Sequence, residues 1–211
     1  MPLPICIEIP EIPDPFQITL PGGVTMEHVR IQSHGIGVRI SRTQPEPIQA
    51  STLSSVEVRG TSGPGIVANN LTGFTMQNSI VAYAQGDGLL IPAPDPGEQS
   101  DLLVSNNLFF ANGYGLVDGA GLYIANSDSL ILANNIVVSN NQGLYCQSAC
   151  ANSSSIIWGN LADFGGSATP DLSDISTDPR LNNAAEGDFT LRFDSPAIGK
   201  ADAAFTPTVD L

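Results

Sequence analysis

Basic residues are scarce in this sequence, which has seven Lys and Arg against 21 Asp and Glu and a formal net charge of −14. Lys200 is the only lysine, and no Lys or Arg occurs between Arg59 and Arg180. Phosphate binding requires a basic surface, so we expect no nucleic-acid partner, and anionic lipid surfaces are disfavoured for the same reason. The acidity is typical of a soluble protein, and its sharper interpretation is attraction of divalent cations or cationic groups.

Long apolar runs are also missing, although 42% of the residues are hydrophobic. No run approaches the roughly 18 apolar residues of a spanning helix, so we expect no membrane span. The first residues show neither the basic nor the apolar segment of a signal peptide. The chain therefore either stays inside the cell or is a piece of a longer protein whose signal and anchor lie elsewhere, and we expect the second.

Cysteine and histidine are rare: the cysteines are Cys6, Cys146 and Cys150, and the histidines are His28 and His34. Four zinc ligands are difficult to assemble from this set, so no metal site is expected. The separation of Cys146 and Cys150 suits a loop closed by a disulfide, with Cα atoms about 4.4–6.8 Å apart, and Cys6 stays unpaired. Two free buried thiols are the alternative. A disulfide would indicate an oxidising compartment, hence a secreted or cell-surface protein.

Short apolar strands recur along the chain in three sets. The first set follows six polar residues at intervals of 27, 23, 29, 28 and 20: His28, Ser55, Asn78, Asn107, Asn135 and Ser155. Each strand of the second set is opened by a glycine, and we call these glycines the glycine column: Gly37, Gly65, Gly88, Gly121 and Gly143. The third set lies at residues 24–26, 74–76, 102–104 and 130–132. Such strands cannot bury their apolar faces alone, but stacked coils bury a continuous core.

This repeat predicts an all-β fold, a right-handed parallel β-helix with three faces and about six coils over residues 23–160. Residues 1–22 are predicted to form a lead-in or cap, and residues 161–211 a closing region. In most strands we expect the first and third residues to point inward and the middle one outward, which places Arg30 beside Glu57 as a surface ion pair. Trp158, near the closing region, is expected in the core.

The repeats resemble those of the pectate-lyase-like superfamily. Residues 153–160 (SSSIIWGN), 178–181 (DPRL), 187–191 (GDFTL) and 195–198 (SPAI) are similar to the choice-of-anchor Q region, which closes the β-helix of bacterial surface proteins. The resemblance implies this architecture and display at a bacterial surface. It does not imply a reaction, because parallel β-helices include enzymes and non-enzymes.

Two aspartates are the weak catalytic candidates. Asp87 and Asp118 each precede a strand of the glycine column and could meet on adjacent coils, and glycoside hydrolysis commonly needs two carboxyl groups about 5–10 Å apart. The alternative is that both only form turns beside glycine. A polyuronate lyase must neutralise its substrate with cations or Ca²⁺, and the middle coils contain no basic residue.

The outward residues of the glycine column form the candidate ligand site. They are Arg39, Val67, Leu90, Tyr123 and Tyr145. Tyr123 and Tyr145, which we call the tyrosine pair, should stack on neighbouring coils and offer two rings to a sugar, with Arg39 in the same column. The alternative is that a loop at residues 113–119 covers the rings.

These observations favour a non-catalytic β-helical module of a secreted or surface-displayed protein, with polysaccharides or cell-surface glycans as its partners. The alternative is a carbohydrate-active enzyme, either a polysaccharide lyase or a glycoside hydrolase, that uses loops of the glycine column. No cofactor is expected in either case, and Ca²⁺ would enter only as a bridge to an acidic glycan.

Overall fold

The computed structural model describes residues 18–20, 24–32, 35–41, 50–93, 101–125 and 129–206, and only the backbone at 18–20. Cys6, His34 and Arg42 lie outside this part. Each complete coil of the described chain has three short strands. Its helical turns are the short 3₁₀ segments Ala184–Glu186 and Ala203–Phe205, both within the predicted closing region.

Three parallel sheets form the faces of the molecule. Sheet A contains Ile18–Leu20, Val38–Ser41, Ile66–Asn69, Leu89–Ile91, Ala120–Ile124, Gln142–Cys146 and Ala162–Gly166. Sheet B contains Thr25–Glu27, Ser51–Ser54, Phe74–Gln77, Leu102–Ser105, Leu130–Ala133 and Ala151–Ser153. Sheet C contains Arg30–Gln32, Glu57–Arg59, Ile80–Ala82, Leu108–Phe110, Ile136–Val138 and Ile156–Trp158. The predicted right-handed parallel β-helix is confirmed.

Sheet C differs from sheet A in which side chains point inward. In sheet A the first and third residues of Val38–Ser41 and of Leu89–Ile91 are buried, as expected. In sheet C the middle residue of every strand is buried, and together these residues form the column Ile31, Val58, Val81, Phe109, Val137 and Ile157. The prediction was therefore wrong for the last three coils, where it placed Phe109, Val137 and Ile157 outside.

The asparagine doublets explain this one-residue error. Asn78, Asn106 and Asn134 have left-handed φ angles of 50°, 57° and 57°, and each turns the chain from sheet B into sheet C. The backbone N–H of Ser79 donates to Asn107 Oδ1 at 2.9 Å, so the second asparagine of the doublet is aligned with Ser79. The predicted repeat aligns Asn107 with Asn78 instead, which moves the strand by one residue and exchanges its two faces.

Two buried polar ladders run along the sides of sheet C. In each, a side-chain oxygen accepts the backbone N–H of the matching residue on the preceding coil, except that the last oxygen of the second ladder, from Asp163, accepts the N–H of Asn160 three residues before it. The first ladder is Ser79, Asn107, Asn135, Ser155 and Asp174. The second is Asn112, Asn140, Asn160 and Asp163. Each ladder ends at an aspartate. An ionised carboxylate only accepts hydrogen bonds, so the end of the ladder needs no further acceptor.

The closing region folds back over the apolar outer face of sheet C. Its strands Leu181–Asn183 and Asp188–Leu191 form an antiparallel hairpin. The apolar contacts join Leu108, Val138 and Ile156 of sheet C to Ile175, Leu181, Phe189 and Ala197. Ala162–Gly166, at the start of the predicted closing region, is instead the last strand of sheet A.

The structure also tests the predicted positions of Arg30 and Trp158. Arg30 Nε lies 2.7 Å from Glu57 Oε2, which confirms the predicted ion pair, and Glu57 also contacts Arg59. Trp158 is 36% exposed, so its predicted core position is wrong. It is the third residue of a sheet C strand and points outward because Ile157 takes the inward position.

Candidate functional site

The outer face of sheet A carries one middle side chain from each strand. From coil to coil the column reads Arg39, Val67, Leu90, Tyr123 and Tyr145. The two members of the tyrosine pair are therefore neighbours on adjacent strands. Arg39 lies three strands from Tyr123, roughly 14 Å away at the usual spacing of strands, so the fold does not bring it to the tyrosine pair.

The rings of the tyrosine pair stack on each other. Their centroids are 4.8 Å apart and their planes differ by 16°, and both residues are partly exposed. Tyr145 lies over the next strand of the sheet. A Cβ added to Gly165 would come within 2.8 Å of Tyr145 Cδ2, and one on Gly166 within 3.1 Å of its Cζ. These glycines leave the space that the ring occupies, and we had not singled them out from the sequence.

The hydroxyl group of Tyr123 stays neutral at physiological pH. Burial, followed by the proximity of Tyr145 and Asp87, raises the pKa of Tyr123. Gln147 Nε2 donates to its Oη at 3.4 Å. A neutral phenol can both donate and accept a hydrogen bond, so the pair combines apolar ring surface with hydroxyls that suit a sugar.

Asp87 and Asp118 have different surroundings. Asp87 is buried, its Oδ1 accepts the backbone N–H of Ala120 at 2.8 Å, and burial raises the pKa of its carboxyl group. Asp118 is exposed. The negative charges of both carboxyl groups contribute to the raised pKa of Tyr123. The hydrogen bond of Asp87 fixes the start of the strand Ala120–Ile124, which is a structural role.

Residues 113–119 form a compact loop at the corner between sheets C and A. Tyr114 Oη donates to Ser139 O at 2.8 Å, and Asn141 Nδ2 donates to the carbonyl oxygens of residues 116 and 117 at 3.1 Å each. The loop carries exposed apolar side chains, with Val117 93% exposed. The tyrosine pair remains partly exposed beside it.

A disulfide follows the strand that carries Tyr145. Cys146 and Cys150 are bonded, and their Cα atoms are 6.3 Å apart. Among the described residues, no group of three or more His, Cys, Asp or Glu is arranged to hold a metal ion. No helix in that same part of the chain is long and apolar enough to cross a membrane.

The comparison with known proteins agrees with the fold. Residues 37–168 match the family described as the right handed beta helix region, and the chain belongs to this family. No curated protein and no solved structure matches the chain. The family identifies the chain as a β-helical module. It does not identify a function, which depends on the side chains at the surface of the module.

Proposed function

We propose that this chain is a non-catalytic β-helical module of a secreted or surface-displayed protein, and that it contacts neutral glycans through Tyr123 and Tyr145. The stacked, partly exposed rings carry the proposal, because aromatic surface edged with hydroxyl groups matches the mixed CH and OH surface of a sugar. The rings are also preorganised by their neighbours, which reduces the entropy lost on binding.

The charge of the molecule supports a neutral ligand. The formal net charge is −14 and no Lys or Arg lies between Arg59 and Arg180, so a polyuronate would be repelled unless Ca²⁺ bridged it. The same charge disfavours nucleic acid. No resident cofactor is part of the proposal.

Secretion and surface display are supported by two features. The Cys146–Cys150 disulfide suits an oxidising compartment. The second feature is the closing motif, which resembles the choice-of-anchor Q region and is stabilised by hydrogen bonds among its own residues. Asp178 Oδ1 accepts the N–H of Arg180, and Ser195 Oγ donates to Pro179 O and accepts the N–H of Ala197. We propose that the motif covers the apolar outer face of sheet C in a bacterial surface protein.

Titration with neutral oligosaccharides tests the tyrosine pair. We expect weak binding that falls about tenfold in the Tyr123→Ala/Tyr145→Ala double variant, the equivalent of about 1.4 kcal/mol of lost ring contact. Tyr114→Ala is the matched control, because Tyr114 is 62% exposed and lies on the loop at residues 113–119. Equal affinity of the double variant and the wild type would remove the site and leave a passive stalk.

A carbohydrate-active enzyme is the second candidate, and the raised pKa of Asp87 favours it because a general acid needs such a shift. Its carboxyl group is buried and already bonded to Ala120, which argues against it. We expect no product from a panel of neutral and acidic polysaccharides. Turnover that Asp87→Asn or Asp118→Asn abolishes would overturn the non-catalytic assignment; asparagine at 87 retains the acceptor for Ala120.

A further inference from the structure

A cavity of about 290 Å³ lies between the outer face of sheet C and the closing region. Leu108, Ile136 and Ile156 line one wall, and Leu181, Phe189 and Leu191 line the other. The cavity is only partly enclosed, and Leu191 remains 36% exposed. At about 30 Å³ for each water-sized group, it has room for roughly ten such groups.

Polar contacts on both sides of the cavity hold the closing region in place. On one side Tyr83 Oη donates to Ala184 O at 2.6 Å. On the other, Asn134 Nδ2 donates to Asp202 O at 3.1 Å and Asp202 N donates back to Asn134 Oδ1 at 2.7 Å. These hydrogen bonds anchor the closing region on both sides of the cavity, and the two apolar walls, which also contact each other, leave the cavity open between them.

Lys200 lines the same cavity and is the only lysine of the protein. Its side chain is exposed and forms no ion pair with any residue in the described part of the chain. An ammonium group beside an apolar cavity, with no ion pair among the described residues, marks a place where an anion would be attracted.

We propose that the cavity binds an aliphatic carboxylate of medium chain length, with the hydrocarbon between sheet C and the closing hairpin and the carboxylate at Lys200. The apolar walls select the chain and the ammonium selects the head group. The site is separate from the tyrosine pair, which lies on sheet A, so the proposal does not rest on glycan binding.

Calorimetric titration with hexanoate, octanoate, decanoate and dodecanoate tests whether the cavity binds the hydrocarbon part of the ligand. We expect affinity to rise up to about fourfold for each added methylene and then to level off once the cavity is full, near eight to ten carbons, because a buried methylene contributes about 0.8 kcal/mol. Absence of saturable binding at every chain length would overturn the proposal.

Three variants separate this cavity from other surfaces. Lys200→Gln should weaken decanoate about tenfold and leave decanol unchanged, whereas Arg192→Gln, which removes a charge from the same region outside the cavity, should change neither more than twofold. Ala197→Phe should fill the cavity and abolish binding of both ligands, with the fold checked by circular dichroism. Undiminished binding in Ala197→Phe, or equal losses in the two charge variants, would contradict the assignment.

Discussion

Replacing Asn140 with alanine is expected to lower the free energy of unfolding by roughly 3–5 kcal/mol. Asn140 is fully buried, and its Oδ1 accepts hydrogen bonds from the backbone N and from Nδ2 of Asn112 at 2.8 and 3.0 Å. Its Nδ2 donates to the carbonyl oxygens of Phe109 and Val138. Alanine would leave the backbone N–H of Asn112 and one of its two Nδ2 hydrogens without an acceptor, since the other hydrogen donates to Val81 O, and each buried unpaired group costs about 1–3 kcal/mol. Urea unfolding followed by circular dichroism measures the loss.

Asn141→Ala is the matched control. Asn141 is the next residue and is partly exposed, and within the described part of the chain its side chain bonds only to the carbonyl oxygens of residues 116 and 117, through Nδ2. Its loss should cost under about 1 kcal/mol, because water can replace those bonds. If the two variants lost the same stability, the second ladder would not be a main support of the coils.

The fold could be predicted because each coil reuses the same residue types at the same corner. The register of sheet C could be predicted only in part, and the doublet Asn134–Asn135 shows why. Asn134 makes a left-handed turn and Asn135 joins the buried ladder, yet a shift of one residue still places one asparagine of a doublet opposite an asparagine of the neighbouring coil. Sequence alone does not distinguish the two roles.

The candidate sites could also be predicted only in part from the sequence. Tyr123 and Tyr145 could be predicted as neighbours, because outward residues of adjacent strands in a parallel sheet stack. The position of the Tyr145 ring could not, since it depends on the missing side chains of Gly165 and Gly166 on the following coil. The cavity at Lys200 depends on contacts between residues that are far apart in sequence. Asn134 and Asp202, for example, are 68 residues apart, and a local repeat does not predict such a contact.

Replacing Gly121 with alanine is expected to destabilise the protein by about 2–3 kcal/mol, because the new methyl group would overpack a filled interior. Gly121 lies within the strand Ala120–Ile124. A Cβ there would come within 2.8 Å of Asn140 Nδ2 and 3.0 Å of Val137 Cγ1. Gly88 and Gly143 stand in the same relation to Asn112 and Asn160, at 2.9 and 2.8 Å from their Nδ2 atoms. Three glycines of the column therefore lie directly beside the amides of the second ladder, whereas a Cβ added to Gly37 or Gly65 would instead come within 2.4 Å of Val58 Cγ1 or Val81 Cγ1.

Two further variants test this explanation. Gly63→Ala, where the nearest atom to the added Cβ is Ile36 Cγ1 at 3.4 Å, should change stability by less than about 0.5 kcal/mol. The Gly121→Ala/Asn140→Ala double variant should lose at least about 1 kcal/mol less than the sum of the two single losses, because alanine at 140 frees the space that the methyl group at 121 needs. Additive losses in urea unfolding would mean that Gly121 is required for a reason unrelated to the ladder amide.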